Sequence, residues 1–199
     1  MSNGSADHVH TALAALSAGG VVAAATDTVY GLLCDPRDAA AVERVYALKH
    51  RPAGLELTLL AAAAVDLDGL VAWTPAARRL AAELWPGPLS IVLAVGGTRL
   101  AVPREGHTLS VRVPAHEALR ELLRSAGPLA STSANRHGEP PANTPDQVAA
   151  AFGDEVPVVV TGGHPGGMAS TIIDCSVTPP RVLRDGPIGA RTLRRLVQD

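Results

Sequence analysis

The sequence is almost without lysine: of 17 Lys and Arg side chains in 199 residues, Lys49 alone is lysine. Aromatic residues are only 3% of the chain, so a core has to be filled by Ala, Val and Leu. The two cysteines, Cys34 and Cys175, are too few and too far apart for a disulfide framework or a CxxC zinc site, which points to a reducing, cytoplasmic compartment. Apolar runs such as 21–25 and 57–64 fall far short of the roughly 20 residues that cross a bilayer. The polar residues 1–10 lack the order of a signal peptide. A formal net charge of −2 supplies no overall basic field toward nucleic acid or membrane. The nucleotide and hydrolase fingerprints GxxxxGK[ST], GxGxxG, HExxH and GxSxG are all missing. The seven His are scattered and Asp66-Leu67-Asp68-Gly69 lacks the other ligands of a calcium loop, so no protein-built metal site is expected.

What is present is a well-filled chain, 47% hydrophobic, with a mean hydropathy of +0.18. The spacing predicts a helix over 7–18 ended by Gly19-Gly20, a strand over 21–25, and a helix from Asp38 carrying Val42, Val45, Tyr46 and Lys49 on one stripe. Pro52 and Gly54 stop it, and 57–61 reads as the next strand. Thr74-Pro75 and Thr144-Pro145 each place a hydroxyl at N-cap and proline in the first turn, opening helices to Leu84 and Phe152. Strands are expected at 89–95, 109–113, 128–131, 156–160, 170–175 and 181–184, with further helices over 116–125 and 189–197. Strands and helices interleave without repeat or linker, and several strands follow one another directly. The expectation is one domain over 1–199, α/β (α+β), with a twisted mixed sheet flanked by helices.

Polar clusters gather at the ends of these strands. Residues 26–31, Thr-Asp-Thr-Val-Tyr-Gly, place hydroxyls and a carboxylate around a glycine turn. Lys49-His50-Arg51-Pro52 reads either as a helix end with cations on the dipole or as a phosphate contact. The Arg-dominated composition favours the phosphate, because a compact ammonium is not interchangeable with a guanidinium there. Ser131-Thr132-Ser133-Ala134-Asn135 offers neutral donors and acceptors at a strand end. Arg112, Ser170-Thr171 and Arg184 sit in or beside strands, where a charge needs a partner or a ligand.

In order and spacing these clusters resemble the YrdC-like family, the threonylcarbamoyl-AMP synthases. The segments that carry the resemblance are TDTVYGL (26–32), KHRP (49–52), WPGPLS (85–90), SVRVP (110–114), STSANRHGEPPANT (131–144) and ST (170–171). The family's Lys-x-Arg and Ser-x-Asn are met by Lys49, Arg51, Ser133 and Asn135, and the resemblance covers about 13–184. It implies a sheet around a central positively charged cavity and a nucleotidyltransferase that joins L-threonine, bicarbonate and ATP, with Mg2+, into threonylcarbamoyl-adenylate and pyrophosphate. It also implies a transferase partner that passes the group to position 37 of tRNA, with weak direct tRNA contact possible. By position, Lys49 and Arg51 would be catalytic. Lys49, Arg51, Thr108, Ser133, Asn135 and Arg184 would hold ATP; Thr28, Arg112, Thr132 and Ser170 would hold threonine.

The chemistry agrees, since holding a carbamate in line with an α-phosphate calls for fixed cations rather than a base or nucleophile. Ala25 replaces a usual Pro, Glu56 puts an acid in a normally neutral place, and Leu60 stands where some members carry His. The chain closes soon after Arg184, as in single-domain members. The alternatives are a paralogous branch of unassigned role, a related domain of the carbamoyl-transferring maturation proteins, and an RNA-binding module.

Overall fold

The computed structural model describes residues 3–50, 56–102, 107–161 and 166–198. Helix α1 (Asn3–Ser17) ends before Gly19, whose φ of 71° a side chain would strain, and strands β1 (Val22–Ala24) and β2 (Gly31–Cys34) follow. Helix α2 (Ala39–Lys49) starts on the Asp38 carboxylate, which accepts from the N–H groups of Ala40 and Ala41. It ends at His50 in the left-handed region, φ 50°, directly after Lys49. Next come β3 (Thr58–Leu60), a 3-10 turn at Ala64–Leu67, β4 (Val71–Ala72), α3 (Pro75–Leu84), β5 (Leu89–Val95), β6 (Thr108–Arg112) and α4 (Glu117–Ala126). The chain continues through β7 (Leu129–Ser133), α5 (Pro145–Phe152), β8 (Val158–Val160), β9 (Thr171–Asp174), β10 (Arg181–Arg184) and α6 (Ala190–Gln198). Thr74 and Thr144 cap α3 and α5 by accepting from Ala77 and Gln147 N–H, as their sequence predicts.

Ten strands form one mixed sheet in the order β10-β9-β5-β6-β3-β7-β2-β1-β8, with β4 on β5. β1–β8, β3–β6 and β5–β9 pair in parallel and the remaining pairs are antiparallel. Two strands escape the sequence reading. In β2, Leu32 packs into one core and Leu33 into the other, so the strand is buried on both faces and shows no alternation to distinguish it from the preceding turn. β4 is two residues long.

The two faces of the sheet differ. One carries Leu32, Leu59, Leu89, Ile91, Leu93, Leu109 and Val111 into the larger core, which is closed by α2, α3, α5 and α6. The other is covered by α1 and α4 only where Val22, Ala24, Leu33, Leu60 and Leu129 meet Leu16, Leu119, Leu122 and Leu123. Over the rest of that face the strands present Thr58, Ser90, Ser110, Arg112 and Ser131 to a cavity. The period-2 alternation of a strand produces this split: LSIVLAV, TLSVR and LASTS set polar residues between aliphatic ones.

Candidate active site

The cavity holds about 470 Å³, within the range of small-molecule sites. Its floor runs across four neighbouring strands, where Val92 is paired with Ser110, Ser110 with Thr58, and Thr58 with Ser131. The hydroxyls of Thr58 and Ser110 lie 3.0 Å apart. Gly31 belongs to the same wall because a Cβ there would stand 2.9 Å from Ser131 Oγ.

At one end of the cavity, Arg112 reaches up from β6 and is 5% exposed. Its Nε donates to Gly87 O at 3.0 Å, Nη1 to Thr28 Oγ1 at 2.9 Å and Nη2 to Asp27 Oδ1 at 2.5 Å. Three of five N–H groups are thus fixed and two remain for a ligand. Burial pushes this guanidinium's pKa down and Asp27 pulls it back up. The Thr26 hydroxyl donates to Val29 O at 2.7 Å, so the 2.9 Å contact between the Thr26 and Thr28 hydroxyls takes its proton from Thr28. The chain Arg112–Thr28–Thr26–Val29 therefore runs in one direction and leaves Thr28 an acceptor lone pair. Facing it, Arg184 on β10 donates through Nε to Ser170 O at 3.0 Å and through Nη2 to Ser170 Oγ at 3.1 Å; Ser170 Oγ also lies 2.9 Å from Ser90 Oγ. Desolvation and then the nearby charge of Arg112 lower the Arg184 pKa. Two guanidinium groups thus line one cavity, Arg112 paired with Asp27 and Arg184 held by Ser170.

At the other end, Lys49 is 3% exposed, lying on the buried stripe of α2. Its Nζ donates to Ser133 O at 2.5 Å, Asn135 O at 2.7 Å and Asn135 Oδ1 at 3.1 Å. Ser133 Oγ donates to the same Oδ1, and Asn135 Nδ2 donates to Arg136 O and Glu139 O. The loop is tied back to α2 by His137 N–H on Lys49 O and by Arg136 on Leu48 O. The ammonium thus has protein acceptors, and of these three Asn135 Oδ1 is the most distant.

The structure thus brings Thr28, Lys49, Arg112, Thr132, Ser133, Asn135, Ser170 and Arg184 to one cavity. Thr108 is not among the lining residues; it sits at the far end of β6 and donates to Glu56 Oε1 at 3.0 Å. Arg51 lies outside the described residues. Glu56 and Leu60 line the cavity, placing two of the three departures from the family pattern at the site. The sequence reading missed Thr58, Ser90 and Ser110, whose signal was the alternation of hydroxyl and aliphatic residues along their strands.

A family model described as Telomere recombination, covering the Sua5, YciO and YrdC proteins, matches residues 14–186. The chain belongs to this Sua5/YciO/YrdC family. It is 40% identical over 196 residues to the threonylcarbamoyl-AMP synthase of Chromohalobacter salexigens, covering 96% of this chain and 98% of that protein. Among solved structures of the family, that of Pyrococcus abyssi Sua5 complexed with L-threonine matches with a TM-score of 0.86 at 34% identity. The match covers 94% of this chain but 56% of the Sua5 chain. Escherichia coli YciO matches with a TM-score of 0.82 at 27% identity, over 93% of this chain and 92% of that one. The mixed sheet flanked by helices is thus the Sua5/YciO fold, as the sequence predicts.

Proposed function

We propose that the chain is a threonylcarbamoyl-AMP synthase, a nucleotidyltransferase acting on L-threonine, bicarbonate and ATP. The observation that carries the reading is a single cavity with an anion-binding end at Arg112, Arg184, Thr28 and Ser170, and a second polar end at Lys49, Ser133 and Asn135. Arg112 would take the threonine carboxylate on its two remaining N–H groups. The Thr28 lone pair would accept from the amine or the hydroxyl of the substrate.

Bicarbonate gives CO2 and hydroxide; the neutral amine of threonine forms an N–C bond to the CO2, and the proton it loses joins the hydroxide as water, leaving the carbamate. A carbamate oxygen then attacks the α-phosphorus, the bond to the β-phosphate breaks, and pyrophosphate leaves with the electron pair. The protein's part is to hold two anions in line against their repulsion. Lys49, Ser133 and Asn135 would do so at the phosphates, with Lys49 exchanging its Asn135 Oδ1 contact for a phosphate oxygen. Among the described residues no three His, Cys, Asp or Glu side chains are grouped to hold a metal, and Glu56 is the one carboxylate lining the cavity. Mg2+ would therefore arrive on the nucleotide, held by phosphate oxygens and water, where it offsets phosphate charge. The adenylate would pass to a threonylcarbamoyl-transferring partner acting on tRNA. No described helix is long and apolar enough to cross a membrane.

Pyrophosphate should appear only when ATP, Mg2+, bicarbonate and L-threonine are all present. Release that ignores threonine overturns the reading. A second reading, a YciO-like paralog of different activity, rests on the end-to-end match with E. coli YciO, and loss of all pyrophosphate release would favour it.

A further inference from the structure

The floor of the active-site cavity has a middle that neither of its two ends uses. In the paired strands, Leu60 stands beside Arg112 and Leu129, and two residues back along β3 Thr58 stands beside Ser110 and Ser131. Two residues further along β7 comes Ser133, at the Lys49 end. Thr58, Ser110 and Ser131 therefore form a row of hydroxyls across β6, β3 and β7, all lining the cavity. With a rise of about 3.3 Å per residue, the row lies about 6.6 Å along the strands from Arg112 and about as far from Ser133.

The row has protons to give. The hydroxyls of Thr58 and Ser110 lie 3.0 Å apart, so one donates to the other and the pair keeps one proton for a further acceptor. Ser131 is 8% exposed, and its hydroxyl makes no hydrogen bond among the described residues. Nor is it sealed from solvent: the buried side-chain atoms closed off without a partner are Asp27 Oδ2 and Trp73 Nε1. Gly31 helps to keep the hydroxyl open, since a Cβ there would stand 2.9 Å from Ser131 Oγ. The middle of the cavity thus presents neutral donors, while the cations Arg112 and Lys49 serve its ends.

Resting on the synthase reading above, we propose that this row is the subsite for the one-carbon unit, with Ser131 and the Thr58–Ser110 pair donating to the carbamate. With the amino-acid carboxylate on Arg112 and the phosphates toward Lys49 and Ser133, the carbamate falls between them, over the row. One of its two oxygens forms the bond to the α-phosphorus as the bond to the β-phosphate breaks. The other stays an acceptor throughout and is the oxygen the hydroxyls hold. A cation there would draw electron density from the attacking oxygen, which neutral donors do far less. Because the held oxygen accepts in the bound carbamate and in the transition state alike, losing a donor weakens retention of the one-carbon unit without slowing the filled complex.

The test is steady-state pyrophosphate release by the whole chain, with bicarbonate, L-threonine and ATP varied in turn. Ser131→Ala should raise KM for bicarbonate at least about tenfold, the worth of one charge-assisted hydrogen bond. Its kcat at saturating bicarbonate should stay within about twofold of the parent. Thr58→Val, which keeps the branched shape and removes the hydroxyl, should behave likewise. In both variants KM for L-threonine and ATP should hold, as should the calorimetric affinity for each measured without bicarbonate. A rise in KM for threonine or ATP in place of bicarbonate assigns the hydroxyls to the amino acid or the nucleotide and overturns the proposal. A fall in kcat that bicarbonate does not restore, or unchanged kinetics in both variants, overturns it as well. A parent whose pyrophosphate release does not depend on bicarbonate overturns the synthase reading itself, and the subsite with it. Thermal unfolding of each variant shows that a raised KM is not a disturbed fold.

Discussion

Lys49 Nζ and the carbonyl of Ser133 are separated by 84 positions in sequence and by 2.5 Å in space. The contact joins the last turn of α2 to the end of β7, with Asn135 supplying further acceptors from its backbone and side chain. Replacing Lys49 by Arg therefore disturbs more than a phosphate contact. A longer, planar side chain has to enter a fully buried slot, so Lys49→Arg should lose about 1–3 kcal/mol of stability as an overpacked core does, besides lowering turnover. Urea unfolding and pyrophosphate release measured together decide it: an unchanged midpoint with lost turnover would return Lys49 to a purely substrate-facing role. Exposed Arg44 on α2 serves as the control, and Arg44→Lys should change neither quantity.

The pair Asp27–Arg112 is buried on both sides, with side chains 12% and 6% exposed. Asp27→Ala would leave the guanidinium in the cavity wall without its carboxylate, which should cost about 3–5 kcal/mol. Binding of L-threonine, followed by calorimetry, should fall as well, since Arg112 loses the contact that aims it. A variant that unfolds at the parent's urea midpoint would show that the pair does not hold the wall together.

Gly31 is in register with Ser133 in the β2–β7 pair, and the Ser131 hydroxyl is the side-chain atom nearest to a Cβ placed there. Gly31→Ala pushes a methyl to 2.9 Å from the Ser131 hydroxyl and should destabilise the protein, by about 1–3 kcal/mol on the scale of core overpacking. Ser131→Ala removes the opposing atom and should restore much of that loss in the double variant. Additive losses would mean that the clash lies with the backbone instead.

Cys34 and Cys175 are both buried, and burial, with Asp35 and Asp38 near the first and Asp174 near the second, pushes each thiol from 9.0 to about 12. Neither should react with a thiol reagent at neutral pH until the chain unfolds. The linkage has a definite sign. A pKa raised in the folded state gives stability that is complete below the unfolded thiol value and lost as pH climbs from there toward about 12. Cys34→Ala should accordingly flatten the alkaline side of a stability–pH curve; a parent curve level from pH 8 upward contradicts the burial.

Most of the helices and the longer strands were legible because their signals are local. A hydroxyl before Pro75 or Pro145 caps a helix wherever it occurs, and LSIVLAV alternates whatever lies across from it. β2 was not legible, since GLLC is buried on both faces and only its neighbours β1 and β7 reveal it as a strand. At the site, the Thr-Asp-Thr, Ser-Thr-Ser and Ser-Thr clusters stood out as polar runs. Single hydroxyls such as Thr58, Ser90 and Ser110 did not, because an isolated Ser in a strand gains meaning only from the register that sets it beside another. The acceptors of Lys49 were invisible for the same reason: two are backbone carbonyls, which every sequence contains.

The cavity wall recruits residues from Thr26 to Arg184, on strands that are interleaved rather than consecutive in the sheet. Each end is assembled from segments far apart in the chain: Thr28, Arg112, Ser170 and Arg184 at one, Lys49, Ser133 and Asn135 at the other. A ligand there binds only the completed fold, so its free energy is added to the stability of the whole chain, as RT ln(1 + [L]/Kd), and not to one loop. Amide exchange in the presence of substrate should therefore slow across the central strands together, and the enzyme's shelf life in the cell becomes a function of its substrate supply.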